Sequence, residues 1–149
     1  MINDTIKITG DVQITLFDAN GFVKDTRQIK NLVVSAGKAF IAASMLKTTT
    51  NSPVAMTHMA VGTTSTAAAA GDTALGGEAG RVSLASATSA ANVVTYTASF
   101  PAGTGTGALV EAGIFNAGSA GTMLCRTTFA VVNKGASDAM SITWTITAS

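Results

Sequence analysis

Apolar side chains recur at every second position over much of this chain. Ile6, Ile8, Val12, Ile14 and Leu16 all fall on even positions, with Thr5, Lys7, Thr9, Asp11, Gln13 and Thr15 between them. A period of two gives one apolar and one wet face to a strand, and it gives no stripe to a helix. Gly10 marks where one long strand bends or two strands meet. Asp18-Ala19-Asn20-Gly21 follows, and Asn-Gly is a strong hairpin signal. The return strand, roughly 22–30, carries Lys24, Asp25, Arg27, Gln28 and Lys30, the charge expected of an edge strand.

The same period returns in the second half. Val82 and Leu84 lie on a strand near 81–86. Val94, Tyr96, Ala98 and Phe100 share one parity. After a glycine-rich turn at 101–107, strands are expected over 108–116 and 122–132, the latter with Met123, Cys125, Thr127, Phe129 and Val131 facing inward. Met140, Ile142, Trp144 and Ile146 then alternate with Ser141, Thr143, Thr145 and Thr147. A further strand is expected over 54–61. One helix is expected over 38–46, capped by Ser35 and presenting Phe40, Ile41, Ser44 and Met45 along one side. The segment 47–53 reads as a loop. Residues 62–80 are low in complexity and read as a contact arm or a mobile surface loop. Eight or nine short strands spaced by turn signals predict an all-β fold, an antiparallel, jelly-roll-like β-sandwich with one short helix, in a single domain over 1–149.

Composition narrows the function. Ala (27), Thr (23), Gly (15) and Ser (12) make up 77 of the 149 residues, and charged residues are 11%, against roughly 25% in ordinary soluble proteins. A net charge of +1 offers no electrostatic attraction to a phosphate backbone, so no nucleic-acid partner is expected. No apolar run approaches the ~18 residues of a membrane span, so no membrane partner is expected. The opening Met-Ile-Asn-Asp lacks the layout of a secretion signal. A surface so poor in charge has little to hold it apart from its neighbours, which points to a native state that includes partner subunits.

The residues able to do chemistry are few. His58 and Cys125 are single, and together cannot make a zinc site. His58 reads as a packed or interfacial side chain, Cys125 as a buried inert thiol. Gly103-Thr-Gly105-Thr-Gly107 lacks both the spacing and the following Lys of a phosphate loop and reads as a hairpin turn. Asp72, Glu78 and Glu111 are the only acids between residues 26 and 137. Glu111 sits mid-strand, where Arg81 or Arg126 is its expected partner. Trp144 and Tyr96 share the apolar parity of their strands and read as core rather than as a sugar-stacking platform. No enzyme is expected, and no catalytic, cofactor-binding or metal-binding residue is assigned.

Several stretches carry a resemblance. They are Asn31-Leu-Val-Val-Ser-Ala-Gly-Lys-Ala-Phe-Ile-Ala, Met59-Ala-Val-Gly-Thr-Thr-Ser-Thr-Ala-Ala and Asp72-Thr-Ala-Leu-Gly-Gly-Glu-Ala-Gly-Arg-Val. Glu111-Ala-Gly-Ile-Phe-Asn-Ala, Met123-Leu-Cys-Arg-Thr-Thr-Phe and Ser141-Ile-Thr-Trp-Thr-Ile-Thr complete the set. In order and content they resemble small virion structural proteins of tailed double-stranded DNA bacteriophages, over most of the chain from residue 31 onward. The resemblance implies a capsid cement or decoration protein on the exterior of the virion, assembled in the host cytoplasm. Its implied partners are the major capsid protein and further copies of itself, as a dimer or trimer. The alternative it leaves is a tail component: a fibre tip, baseplate or receptor-binding domain. The expected contact regions are the N-terminal strands and the 47–53 and 62–80 loops.

Overall fold

The computed structural model describes residues 4–46, 50 and 52–149. Among the described residues, ten strands form two antiparallel five-stranded sheets. The elements are β1 (Ile8–Phe17), β2 (Val23–Lys30), β3 (Leu32–Val33), α1 (Ser35–Ala43), β4 (His58–Gly62) and β5 (Glu78–Ser83). Then come β6 (Ser86–Ala90), β7 (Val93–Phe100), β8 (Gly107–Phe115), β9 (Met123–Lys134) and β10 (Ala139–Ala148). The first sheet has the order β2-β1-β10-β7-β6, the second β3-β9-β8-β4-β5. The hairpins β1-β2, β4-β5, β6-β7 and β8-β9 alternate between the sheets, and the first and last strands lie side by side. The molecule is an all-β sandwich.

Alternation builds the core as the sequence predicts. Val12, Ile14 and Leu16 stand opposite Trp144, Ile142 and Met140, which in turn stand opposite Tyr96, Ala98 and Phe100. Met59, Val61, Leu109, Ala112, Ile114 and Val132 meet them from the second sheet. The Asp18 carboxylate accepts the N–H groups of Asn20 (2.8 Å) and Phe22 (3.0 Å), and Gly21 takes φ +83°, which closes the first hairpin. β2 is an edge strand, as its charge predicts.

Several of these expectations are corrected. α1 begins at Ser35, its N-cap is Val34, and no side chain caps it. The Ser35 N–H instead bonds the Ala70 carbonyl at 2.7 Å. The helix docks through Gly37, where a Cβ would stand 1.9 Å from the Leu124 carbonyl oxygen. Phe40 and Ile41 reach the core in part, whereas Met45, in the 3-10 turn that follows, is 83% exposed. The strand expected from residue 54 starts only at His58. β6, Ser-Ala-Thr-Ser-Ala, is a strand the sequence pattern does not predict: every residue in it is exposed and none is large and apolar, so no alternation announces it. On β9 the inward parity does not persist. The register shifts opposite Leu109 and Glu111, and Val132 is buried while Val131 is 42% exposed.

The outer faces of the two sheets differ. Val34, Ala60, Phe115 and Met123 form a second apolar cluster on the outer side of the second sheet, closed by Leu75 from the 63–77 loop. Residues 111–115 and 123–127 are therefore buried on both faces, which makes those stretches read as continuous rather than alternating. Among the described residues, nothing comparable covers the outer face of the first sheet.

Candidate functional site

Under the 63–77 loop lies the most polar buried assembly of the described residues. Glu111 points away from the main core, to the side of Ala60 and Gly113, and is fully buried. Arg126, on the neighbouring strand, donates from Nε (3.0 Å) and Nη2 (2.8 Å) to its Oε2. The loop supplies the rest. Gly76 N–H donates to Oε2 at 3.0 Å, and the Gly77 and Thr64 N–H groups donate to Oε1 at 2.7 and 3.2 Å. Arg126 also donates to Asp72 (2.9 Å) and to the Thr66 carbonyl (2.9 Å). Of the two arginines expected for Glu111, Arg126 is the partner. Arg81 instead pairs with Glu78, stacks over Phe115 at 3.8 Å, and donates to the Ala117 and Ala120 carbonyls.

This network ties the loop down. Burial pushes the Glu111 carboxyl upward, but the Gly76 N–H, Arg126 and the Gly77 and Thr64 N–H groups outweigh it and hold the group below its ordinary value. Asp72 is held low by the Ala69 N–H and, against its own burial, by Arg126. Both Glu111 oxygens accept hydrogen bonds, whereas both bonds to Asp72 fall on its Oδ2 and that side chain is partly exposed. The arrangement fastens a loop to a sheet. Of the segment 62–80 expected as a contact arm or a mobile surface loop, residues 63–77 are a loop anchored to the second sheet, and Gly62 and 78–80 belong to β4 and β5.

The remaining candidates are dispersed. Cys125 is buried beside Asn31 on the inner face, and burial pushes its thiol well above the ordinary range, the opposite of an activated nucleophile. His58 bonds Ser83 Oγ through Nε2 at 3.3 Å and Thr57 Oγ1 through Nδ1 at 2.8 Å. A serine nucleophile needs a base oriented by an acid, and the second nitrogen meets a hydroxyl. Trp144 is fully buried, and Tyr96 is half-buried with its hydroxyl raised by burial. Gly103, Gly105 and Gly107 all take positive φ, but residues 101–106 carry the chain from the first sheet to the second, so the expected hairpin turn is instead a crossover between sheets. Among the described residues no group of three or more His, Cys, Asp or Glu is placed to hold a metal ion, and no helix is long and apolar enough to cross a membrane. The 47–53 contact region lies largely outside the described residues.

What the fold does present is a broad surface. The outward side chains of the first sheet align across all five strands in register. One row runs Gln28, Gln13, Thr143, Thr97, Ser86; the next runs Lys30, Asp11, Thr145, Thr95, Thr88. Ser86 and Thr97 share a hydrogen bond of 2.6 Å, and Lys30 and Asp11 pair with each other. The face is thus a lattice of hydroxyls and methyls in which the two charges of the second row cancel. The alternation that creates this face is visible in the sequence, where its apolar side is the one that stands out. Comparison with known families, with curated proteins and with solved structures finds no match for this chain.

Proposed function

We propose that the protein is a capsid decoration protein of a tailed phage, laid on the outer surface of the major capsid shell and joining adjacent subunits. The threonine-rich outer face of the first sheet carries this reading. The second sheet covers its own outer face with a loop fixed by a buried ion pair, and the first leaves a five-strand face of nearly neutral side chains open. Hydroxyls with adjacent methyls suit adhesion: they form hydrogen bonds and pack, at little cost in desolvated charge. The resemblance to phage virion proteins points the same way.

The mechanism is mechanical. Packaged DNA pushes shell subunits apart, and a clamp seated across two of them opposes the separation by the area it covers. A standard interface covers about 800 Å² per partner. Repetition over the shell lets modest contacts act together.

The test is a particle that lacks the protein. Such particles are expected to release DNA at a lower temperature than complete ones, and added purified protein is expected to restore the difference. Bare particles of equal robustness that fail to adsorb to host cells overturn the reading in favour of a tail component.

A further inference from the structure

We propose that the backbone edge of residues 5–9, alongside α1, accepts an extended segment of a partner chain that carries apolar residues at alternate positions and at least one carboxylate. β1 outruns its neighbour here. β10 pairs with it from Ile8 to Phe17, and the pairing continues outward through Lys7 and Ser149, which exchange backbone bonds of 2.7 and 2.8 Å. On the opposite side β2 pairs only from Asp11, because the chain departs for the second sheet at Asn31, whose N–H makes a last bond to the Gly10 carbonyl at 3.1 Å. Successive residues of an antiparallel strand turn their backbone groups to opposite sides. Lys7 turns its groups to β10 and Gly10 turns its carbonyl to the β2 side. Ile6 and Ile8 therefore face the place that β2 vacates, and no described residue pairs with them there. Five residues give an edge about 17 Å long, at ~3.4 Å per residue.

The space beside that edge is shaped and charged for a chain. α1 stands off and leaves a groove of about 610 Å³, walled by Ile6 and Ile8 on one side and Ile41 and Met45 on the other, with Lys7 and Lys38 beside it. Ile6 is 78% exposed and Met45 83%. A strand lying across the groove covers both. Neither lysine is in an ion pair among the described residues, so an incoming carboxylate meets two uncommitted cations. Main-chain bonds supply the affinity and alternate side chains the specificity, as in strand addition generally. The edge stands on the fold alone; only the identification of the partner as a capsid subunit rests on the function proposed above.

Two substitutions isolate the edge. Ile6→Pro removes an N–H that bonds nothing among the described residues, at an extended position that tolerates the proline ring. Lys38→Glu reverses a cation that is in no ion pair among the described residues. Both are expected to melt as the wild type does. Titrated onto shells stripped of the protein, each is expected to bind about tenfold more weakly than wild type, one lost hydrogen bond or ion pair. Wild-type binding by both variants overturns the inference and leaves the capsid reading intact. If the wild type itself ignores the shells, the capsid reading falls, and selection from a random-peptide display library on the purified chain decides the edge. Enrichment of alternating apolar sequences with Asp or Glu, captured by wild type and lost with Ile6→Pro, supports it. No enrichment, or equal capture by Ile6→Pro, overturns it. A wild-type dimer that Ile6→Pro converts to monomer in sedimentation also overturns it, by making the occupant a second copy.

Discussion

Replacing Glu111 with Gln is the sharpest probe of how the second sheet is held. The five contacts to this carboxylate are all donors: two from Arg126 and one N–H each from Gly76, Gly77 and Thr64. A glutamine amide offers one acceptor oxygen and sets two donors of its own against donors. Either orientation loses at least two bonds and leaves the buried Arg126 with Asp72, its carboxylate partly exposed, as the remaining counter-charge. Removing one partner of a buried pair costs about 3–5 kcal/mol. With a urea m of about 2 kcal/mol/M, the unfolding midpoint falls by about 2 M. Limited proteolysis should then cut within residues 63–77, where the wild type resists, because three of the N–H anchors belong to that loop. A loss under about 1 kcal/mol, the worth of an exposed pair, with an uncut loop, refutes the reasoning.

Three further outcomes follow from packing and charge. Trp144→Ala empties a fully buried site between Val12 and Tyr96 and is expected to cost ~3–5 kcal/mol in chemical denaturation; unchanged melting contradicts the core assignment. Gly37→Ala favours an isolated helix by about 1 kcal/mol, yet here it should destabilise by ~1–3 kcal/mol, because the new Cβ meets the Leu124 carbonyl oxygen; a rise in melting temperature contradicts the docking geometry. Glu111 and Asp72 are held below their ordinary values in the folded state, so their stabilisation is present above the unfolded-state range near ~4 and is lost as pH falls through the folded values. Melting temperature followed from pH 6 downward should drop through that window, and the drop should be shallower in Glu111→Gln.

How far the sequence discloses this molecule depends on how many faces of each strand are buried. β1 and β10 bury one face, so Val12, Ile14, Leu16, Ile142 and Trp144 announce themselves by parity. β8 and β9 bury both faces along 111–115 and 123–127, and there the period fails: Arg126 and Glu111 stand buried among apolar residues, and Val132 replaces Val131 in the core. β6 buries no residue and has nothing to signal with. The sequence offers Glu111 two arginines, and only the cross-strand register, which sets Arg126 opposite Gly113, chooses between them. The threonine lattice needed five strands aligned in order, and strand order is a long-range property that no local pattern encodes. The vacated edge beside residues 5–9 depends likewise on where the chain changes sheets at Asn31.

Imaging of the intact particle at a resolution that separates strands tests the central claim most directly. The account predicts hundreds of copies of the ten-stranded sandwich on the shell exterior, each bridging neighbouring capsid subunits and seated through the outer face of the β2-β1-β10-β7-β6 sheet. Density confined to the tail, in a few copies to a few dozen, contradicts it.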